Sequence, residues 1–213
     1  DDLSRRLKGA PVIPLVVPDD VDSAIQTTRA LVDGGLSVIE VVLRTPDAVA
    51  CLGEVARAVP EAIVGAGTVL TPAQAEAVLG EGAAFVVMPG FHLPTVRTVQ
   101  SAGVPVFPGV GTASEAQVAW NEGLNTLKFF PASLAGGCPM LKALGAVFRE
   151  VSFIPTGGVS AANLPEFLAL SNVAACGGSW LTPKAAIDAG DYAAVTALAD
   201  EAVQIARSVR GAS

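Results

Sequence analysis

The sequence predicts an α/β fold, a single (β/α)8 TIM barrel spanning residues 1–213. Two observations carry that expectation: short β-rich runs alternate with longer stretches of helical spacing, and eight such units can be counted. The strand candidates are VIPLVV from Val12, SVIEVVL from Ser37, AIVGAG from Ala62, AFVVM from Ala84, VPVF from Val104, TLKFF from Thr126, SFIP from Ser152 and VAAC from Val173, each preceding a turn. The segments between them, such as VDSAIQTTRALVDGG, PAQAEAVLGEG and AANLPEFLAL, carry apolar residues at three- and four-residue steps and often end in glycine, as helix C-caps do. The tail from Asp191 onward reads as a closing helix. An open doubly wound sheet also alternates strand and helix, but the nucleotide fingerprint expected after its first strand is missing here. No long repeat and no linker rich in Gly, Pro or Ser divides the chain, so one domain is the economical reading.

Composition narrows the function classes. At 213 residues and 51% hydrophobic the chain can bury a sizeable core, yet no apolar run approaches the roughly 20 residues that cross a bilayer, so the expectation is a soluble protein without a membrane partner. The basic N-terminal stretch is followed by too short an apolar run, and no cleavage site, for a signal peptide. The formal charge is −7 and the 13 Lys and Arg residues are scattered singly, which argues against nucleic acid. Cys51, Cys138 and Cys176 are odd in number and far apart, with no CxxC pair or histidine cluster, which fits a reducing cytoplasm and no metal site.

Strand parity selects the chemistry. In the second strand Val38, Glu40, Val42 and Arg44 share a face opposite Ile39, Val41 and Leu43, and in the sixth Thr126, Lys128 and Phe130 oppose Leu127 and Phe129. Glu40, Arg44 and Lys128 are thus expected to face the interior. An ammonium there must find a carboxylate or lose its proton. The chain has four lysines, and Lys8, Lys142 and Lys184 fall in terminal or helical segments that solvation explains. The plainer readings are a Lys128 whose stem covers apolar surface while its amine reaches water, and a Glu40 that serves only as an internal salt bridge to Lys128 or Arg44. A carboxylate, a guanidinium and an amine converging on one end of a barrel favour an active site, because such sites sit at the C-terminal strand ends.

Glycines follow the last two strands. Thr156, Gly157 and Gly158 come after the seventh, and Gly177, Gly178 and Ser179 after the eighth, where bare backbone near helix starts can hold a phosphate; ordinary tight turns are the alternative. Gly-Ala-Gly-Thr at Gly65 and Gly-Val-Gly-Thr at Gly109 are weaker anion signals. Thr68 ends the third strand, where its hydroxyl would stand beside Arg44 as a carboxylate donor or else cap a helix ahead of Thr71.

The segments GGLSVIEVVLRTPDA, PEAIVGAGTVLTPAQ, the PG at Pro89, LKFFPA, FIPTGGVSAAN and GGSWL, in that order, resemble the 2-keto-3-deoxy-6-phosphogluconate (KDPG) / 4-hydroxy-2-oxoglutarate (KHG) aldolases over nearly the whole chain. The resemblance implies a Schiff-base (class I) aldolase that needs no cofactor, takes a small-molecule 2-keto acid through a pyruvate adduct, and assembles as a homotrimer. It implies Lys128 as the Schiff-base former, Glu40 as general acid/base, Arg44 with Thr68 as holders of the keto-acid carboxylate, Phe130 as a wall of the pyruvate pocket and Pro89 as its floor. It further implies Thr156 near the substrate hydroxyls, with Gly157, Gly158, Gly178 and Ser179 around the phosphate. The chain departs from the family at Met88, where members often carry serine, and at Ser133, where many carry glutamate; both departures are expected to alter pocket polarity. VIPLVVPDD also lacks the arginine that some relatives offer the phosphate, which leaves the preferred aldehyde open. A metal-dependent lyase is the enzymatic alternative, although the only histidine is His92; a non-catalytic barrel that senses a phosphorylated metabolite is the alternative of another class.

Overall fold

In the computed structural model, which describes residues 2–211, α1 (Asp2–Gly9) leads into β1 (Val12–Val16), α2 (Val21–Asp33), β2 (Val38–Val42), α3 (Ala48–Ala58), β3 (Ile63–Gly67), α4 (Pro72–Gly80), β4 (Val86–Val87) and α5 (Leu93–Ser101). The chain continues through β5 (Val106–Phe107), β6 (Gly109–Val110), α6 (Ala113–Asn121), β7 (Thr126–Phe129), α7 (Gly137–Val147), β8 (Ser152–Pro155), α8 (Leu164–Leu168), β9 (Cys176–Gly178), α9 (Lys184–Asp188) and α10 (Tyr192–Arg210). Every strand pair is parallel. The strands form a six-stranded sheet in the order β5-β4-β3-β2-β1-β9 and a three-stranded sheet β6-β7-β8. Isolated bridges Phe153↔Val173 and Thr156↔Gly177 connect β8 toward β9.

The expected fifth strand, seen as β5, is followed by a further short strand, β6, that was not expected, and a proline separates the two. Pro108 has no N–H to give to a ladder, so the run breaks there, while its carbonyl accepts the Lys128 amide at 3.0 Å. β5 on one side of the break pairs with β4, and β6 on the other pairs with β7. The chain itself therefore passes from one sheet into the other at Pro108. The eighth run is also displaced: regular pairing begins at Cys176 instead of Val173, which makes only a single bridge.

Alternation along the strands sorts the apolar residues into two cores. Val12, Val16, Ile39, Val41, Leu127, Phe129 and Phe153 pack with the helices, whereas Ile13, Val38, Phe85, Val87, Phe107, Ile154 and Ala175, drawn from both sheets, form a second cluster on the opposite face. Leu3 and Leu7 of α1 join that inner cluster. They lie one helical turn apart, so both reach the same side, and burying them stabilises the fold by about 1.5–3 kcal/mol each. No element was expected before Val12, since two leucines among charged residues are too short a pattern to count as helical.

Local chemistry fixes the helix ends. Asp20 caps α2 through the Ser23 amide at 2.8 Å, Thr71 and Gln74 form a reciprocal capping box on α4, and Asp191 caps α10 through Ala194. The expected closing helix is α10, which packs against α2 because Gly34 leaves room: a β-carbon at Gly34 would stand 2.5 Å from that of Ala199. Among the described residues no helix is long and apolar enough to cross a membrane.

Inside the second cluster, a β-carbon at Gly65 would lie 2.5 Å from the Phe85 ring, and Phe85 is fully buried. Gly65→Ala should lower the free energy of unfolding by about 1–3 kcal/mol through overpacking. Gly80→Ala, at the end of α4 where a β-carbon meets nothing within 4 Å, should be neutral or raise it by up to about 1 kcal/mol. Urea denaturation of the two variants beside the parent protein checks both signs.

Candidate active site

Glu40 stands at the centre of β2 between inward Val38 and Val42, and Lys128 occupies β7 between outward Leu127 and Phe129. Both are buried, at 2% and 4% exposure. Lys128 Nζ donates to Glu40 Oε1 across 3.4 Å, so one ion pair spans the inner face from the six-stranded sheet to the three-stranded sheet. Its length exceeds the 2.7–2.9 Å typical of a tight charge-assisted bond. The Phe130 ring centroid lies 5.4 Å from Nζ, within cation–π range. Phe129, by contrast, packs edge-on against Phe153 in the helix-side core and does not cover the amine.

Glycine makes the room for this pair. A β-carbon at Gly67 would overlap the Glu40 carboxylate, just as one at Gly109 would overlap the Pro89 carbonyl. The Gly-Ala-Gly-Thr and Gly-Val-Gly-Thr runs, read from sequence as weak anion signals, are thus packing devices that admit Phe85, Glu40 and the Pro89 backbone. These inward glycines were missed as site residues. The signal available was register, since β3 pairs Gly65 with Glu40 and Gly67 with Val42.

The remaining residues lie at the carboxyl ends of the strands. Arg44 stands two residues past β2 and is exposed. Thr68 follows β3 with φ +61°, the one positive φ among non-glycine residues described, a conformation that costs on the order of 1–2 kcal/mol and concentrates at functional sites. It is not the cap of α4; Thr71 is. Pro89 follows β4 and is half-buried, and Phe130 follows β7. Thr156, 4% exposed, ends the β8 run and fills the space that a side chain at Gly177 would need. Gly157 and Gly158 come next with φ +97° and +78°, values that favour glycine. Gly178 ends β9 against the Trp180 indole, and Ser179 is exposed beside it. Met88 is buried in the helix-side core, so contrary to expectation it has no bearing on the polarity of this face, whereas Ser133 does stand at the rim.

Lys8, Lys142 and Lys184 are all exposed, the last bridging Asp19 at 2.6 Å and Asp188 at 2.8 Å. His92 is tied to Thr95 at 2.8 Å, and among the described residues no three His, Cys, Asp or Glu side chains cluster as a metal site would require. A cavity of about 560 Å³ lies elsewhere, lined by Leu7, Phe107, Thr126, Ser152, Ala174 and Arg210 near the first residues of β7 and β8. The chemistry-bearing groups gather at the other strand ends.

A buried amine touching a carboxylate within parallel strands of an α/β fold, with polar groups at the carboxyl ends of those strands, suits an enzyme that forms a covalent adduct with a carbonyl compound. The chain belongs to the KDPG and KHG aldolase family, whose sequence profile matches residues 3–198. It is 45% identical to the KHG/KDPG aldolase of Escherichia coli K12 over 94% of each chain. It also resembles, at 41% identity and a TM-score of 0.89 over 92% of this chain and 96% of the other, a crystal structure of the Legionella pneumophila KDPG aldolase with pyruvate captured at low pH as a covalent carbinolamine intermediate. The 2-keto-3-deoxy-6-phosphogluconate aldolase of Zymomonas mobilis ZM4, solved with 3-phosphoglycerate, matches at 38% identity over 98% of each chain with a TM-score of 0.89.

Removing one member of the buried pair strands the other. Glu40→Leu should cost about 3–5 kcal/mol of stability at neutral pH, and adding Lys128→Met should recover most of that loss, because the apolar pair has no charge to desolvate. Urea titrations of the single and double variants measure the difference.

Proposed function

We propose that this protein is a class I aldolase that reversibly cleaves 2-keto-3-deoxy-6-phosphogluconate to pyruvate and glyceraldehyde 3-phosphate, 4-hydroxy-2-oxoglutarate to pyruvate and glyoxylate, or both. The observation that carries this reading is the buried Lys128–Glu40 contact at 3.4 Å. The carbinolamine of the Legionella relative supports it, since that adduct requires an amine attacking the carbonyl of pyruvate.

In the proposed cycle the Lys128 ammonium passes a proton to the Glu40 carboxylate, the freed amine attacks C2 of the keto acid to give a carbinolamine, and Glu40 returns that proton to the departing hydroxyl, which leaves as water to give an iminium. The iminium draws the electron pair of the C3–C4 bond as that bond breaks. Glu40, directly or through one water, takes the C4 hydroxyl proton, the aldehyde departs, and the same carboxyl returns the proton to C3 of the enamine. Hydrolysis then releases pyruvate and restores the amine. Arg44 and Thr68 hold the substrate carboxylate, the guanidinium offering a planar fork and the strained threonine a hydroxyl beside it. Phe130 and Pro89 wall and floor the pyruvate half, Thr156 meets the substrate hydroxyls, and Gly157, Gly158, Gly178 and Ser179 surround the phosphate when one is present.

The same reading joins the two sheets into one (β/α)8 barrel forming a single domain. It is supported by the inner cluster shared by both sheets, by the chain crossing at Pro108 and by the bridges between β8 and β9. Three unpaired cysteines suit work in a reducing cytoplasm. A homotrimer would bury apolar surface such as Val118, Trp120 and Val147, exposed at 47%, 45% and 73%. Light scattering should return three times the 21.4 kDa chain mass; a monomer would discard the assembly.

Borohydride reduction with pyruvate, followed by peptide mapping, should yield a stable adduct at Lys128 alone, and Lys128→Ala should yield none. Glu40→Gln should still trap pyruvate while kcat for cleavage drops about 10²–10³-fold. Activity should survive EDTA. Full cleavage by Lys128→Ala, or none by the parent protein, would remove the mechanism.

A further inference from the structure

The rim beyond Lys128 runs as a continuous wall. The Phe130 ring lies 5.4 Å from Nζ, and a β-carbon at Gly157 would stand 3.4 Å from that ring and 3.3 Å from Pro131 Cα. The loop after β7 is locked onto the loop after β8 by two backbone bonds, Ala132 N–H to the Thr156 carbonyl at 2.8 Å and Ser133 N–H to the Gly157 carbonyl at 3.0 Å. Next along, the volume a side chain at Gly158 would take is occupied by the Ser133 hydroxyl. Ser133 is exposed, and among the described residues its Oγ has no partner. A hydroxyl on a held backbone therefore stands over the glycine turn, one residue farther along that wall than Gly157.

From this geometry we infer that Ser133 is a specificity-determining residue, whose Oγ–H donates to the distal oxygens of a six-carbon 2-keto acid and lies beyond the end of a five-carbon one. The inference rests on Lys128 being the point where C2 is held. With C2 fixed there, a six-carbon substrate carries its terminal hydroxyl or phosphate outward along Phe130 and Gly157 to the Gly158 turn, and a five-carbon substrate ends sooner. A site that offers a hydrogen bond to one substrate and not another discriminates between them without touching the shared chemistry. Cys138, on α7 beyond the same loop, is half-buried and contributes no donor to this wall.

The test is kcat/KM on 2-keto-3-deoxy-6-phosphogluconate and on 4-hydroxy-2-oxoglutarate for the parent protein, Ser133→Ala and Ser133→Thr. Ser133→Ala should lower the six-carbon to five-carbon ratio about tenfold, the size of one hydrogen bond to a charged group, with the change carried by KM. Ser133→Thr keeps the hydroxyl and should hold the ratio within about threefold of the parent. An unchanged ratio in Ser133→Ala, or equal losses on both substrates as a damaged loop would give, overturns the assignment. So does a parent protein that cleaves only the five-carbon substrate. A parent protein that traps no pyruvate under borohydride brings down the aldolase reading beneath it, whereas one that traps pyruvate while Ser133→Ala keeps its ratio brings down Ser133 alone.

Discussion

One ion pair organises the interior. An ammonium and a carboxylate withdrawn from water each carry a desolvation cost of several kcal/mol, and neither Lys128 nor Glu40 would be tolerable on this face without the other. A pair of this kind adds little to net stability compared with two leucines in the same place. Its presence is therefore better explained by chemistry than by folding. Because one partner sits on β2 and the other on β7, the contact also demands that the two sheets face each other at a fixed separation, and Leu3, Leu7, Phe85, Phe107 and Ile154 supply the apolar packing that holds that separation.

The glycines make sense as the complement of those bulky groups. Phe85 and the Glu40 carboxylate occupy volumes that side chains at positions 65 and 67 would fill, and the hydroxyls of Thr156 and Ser133 do the same over Gly177 and Gly158. Functional groups on one strand are thus seated against bare backbone on the next. Packing at interior density leaves no slack for both a side chain and its neighbour, so Glu40, Thr156 and Ser133 are each matched by a glycine beside them.

Much of this was legible in the sequence because parity is a strong rule where both faces of a strand are buried. Val38, Glu40 and Val42 opposite Ile39 and Val41 could be divided by counting in twos, and the division put Glu40 and Lys128 on the face where they meet. Elements bounded by backbone chemistry were harder. Beyond Pro108, Gly109 and Val110 form a second short strand with a different partner, which two residues between a proline and a glycine do not announce. Helix α1 depended on tertiary burial of two leucines, which a local pattern of eight residues does not announce. The glycine runs misled for a related reason: GAGT looks the same whether its bare backbone is meant for a ligand or for the ring of Phe85, and only the neighbouring strand distinguishes the two. The left-handed backbone of Thr68 carried no signal, since it belongs to the fold around it and not to its residue type.

The two ends of such a site are under different demands. On the proposed mechanism an iminium at Lys128 is indifferent to what lies beyond C4, so one amine and one carboxylate would serve every substrate that presents a 4-hydroxy-2-keto acid. Selection must then reside along the wall from Phe130 through Gly157 to Ser133, where the substrates differ in length and charge. Hydrophobic contact there would discriminate weakly, because an added carbon is worth only about 1–3 kcal/mol, whereas polar groups aimed at a particular oxygen discriminate more sharply. A turn of bare backbone with the Ser133 hydroxyl set against it provides the second kind of surface. Its two backbone bonds to the β7 loop, at 2.8 and 3.0 Å, hold the backbone that carries that hydroxyl, five residues after Lys128 in the chain. On this proposal reactivity and selectivity are carried by the same strand, the first by its buried lysine and the second by the loop that leaves it.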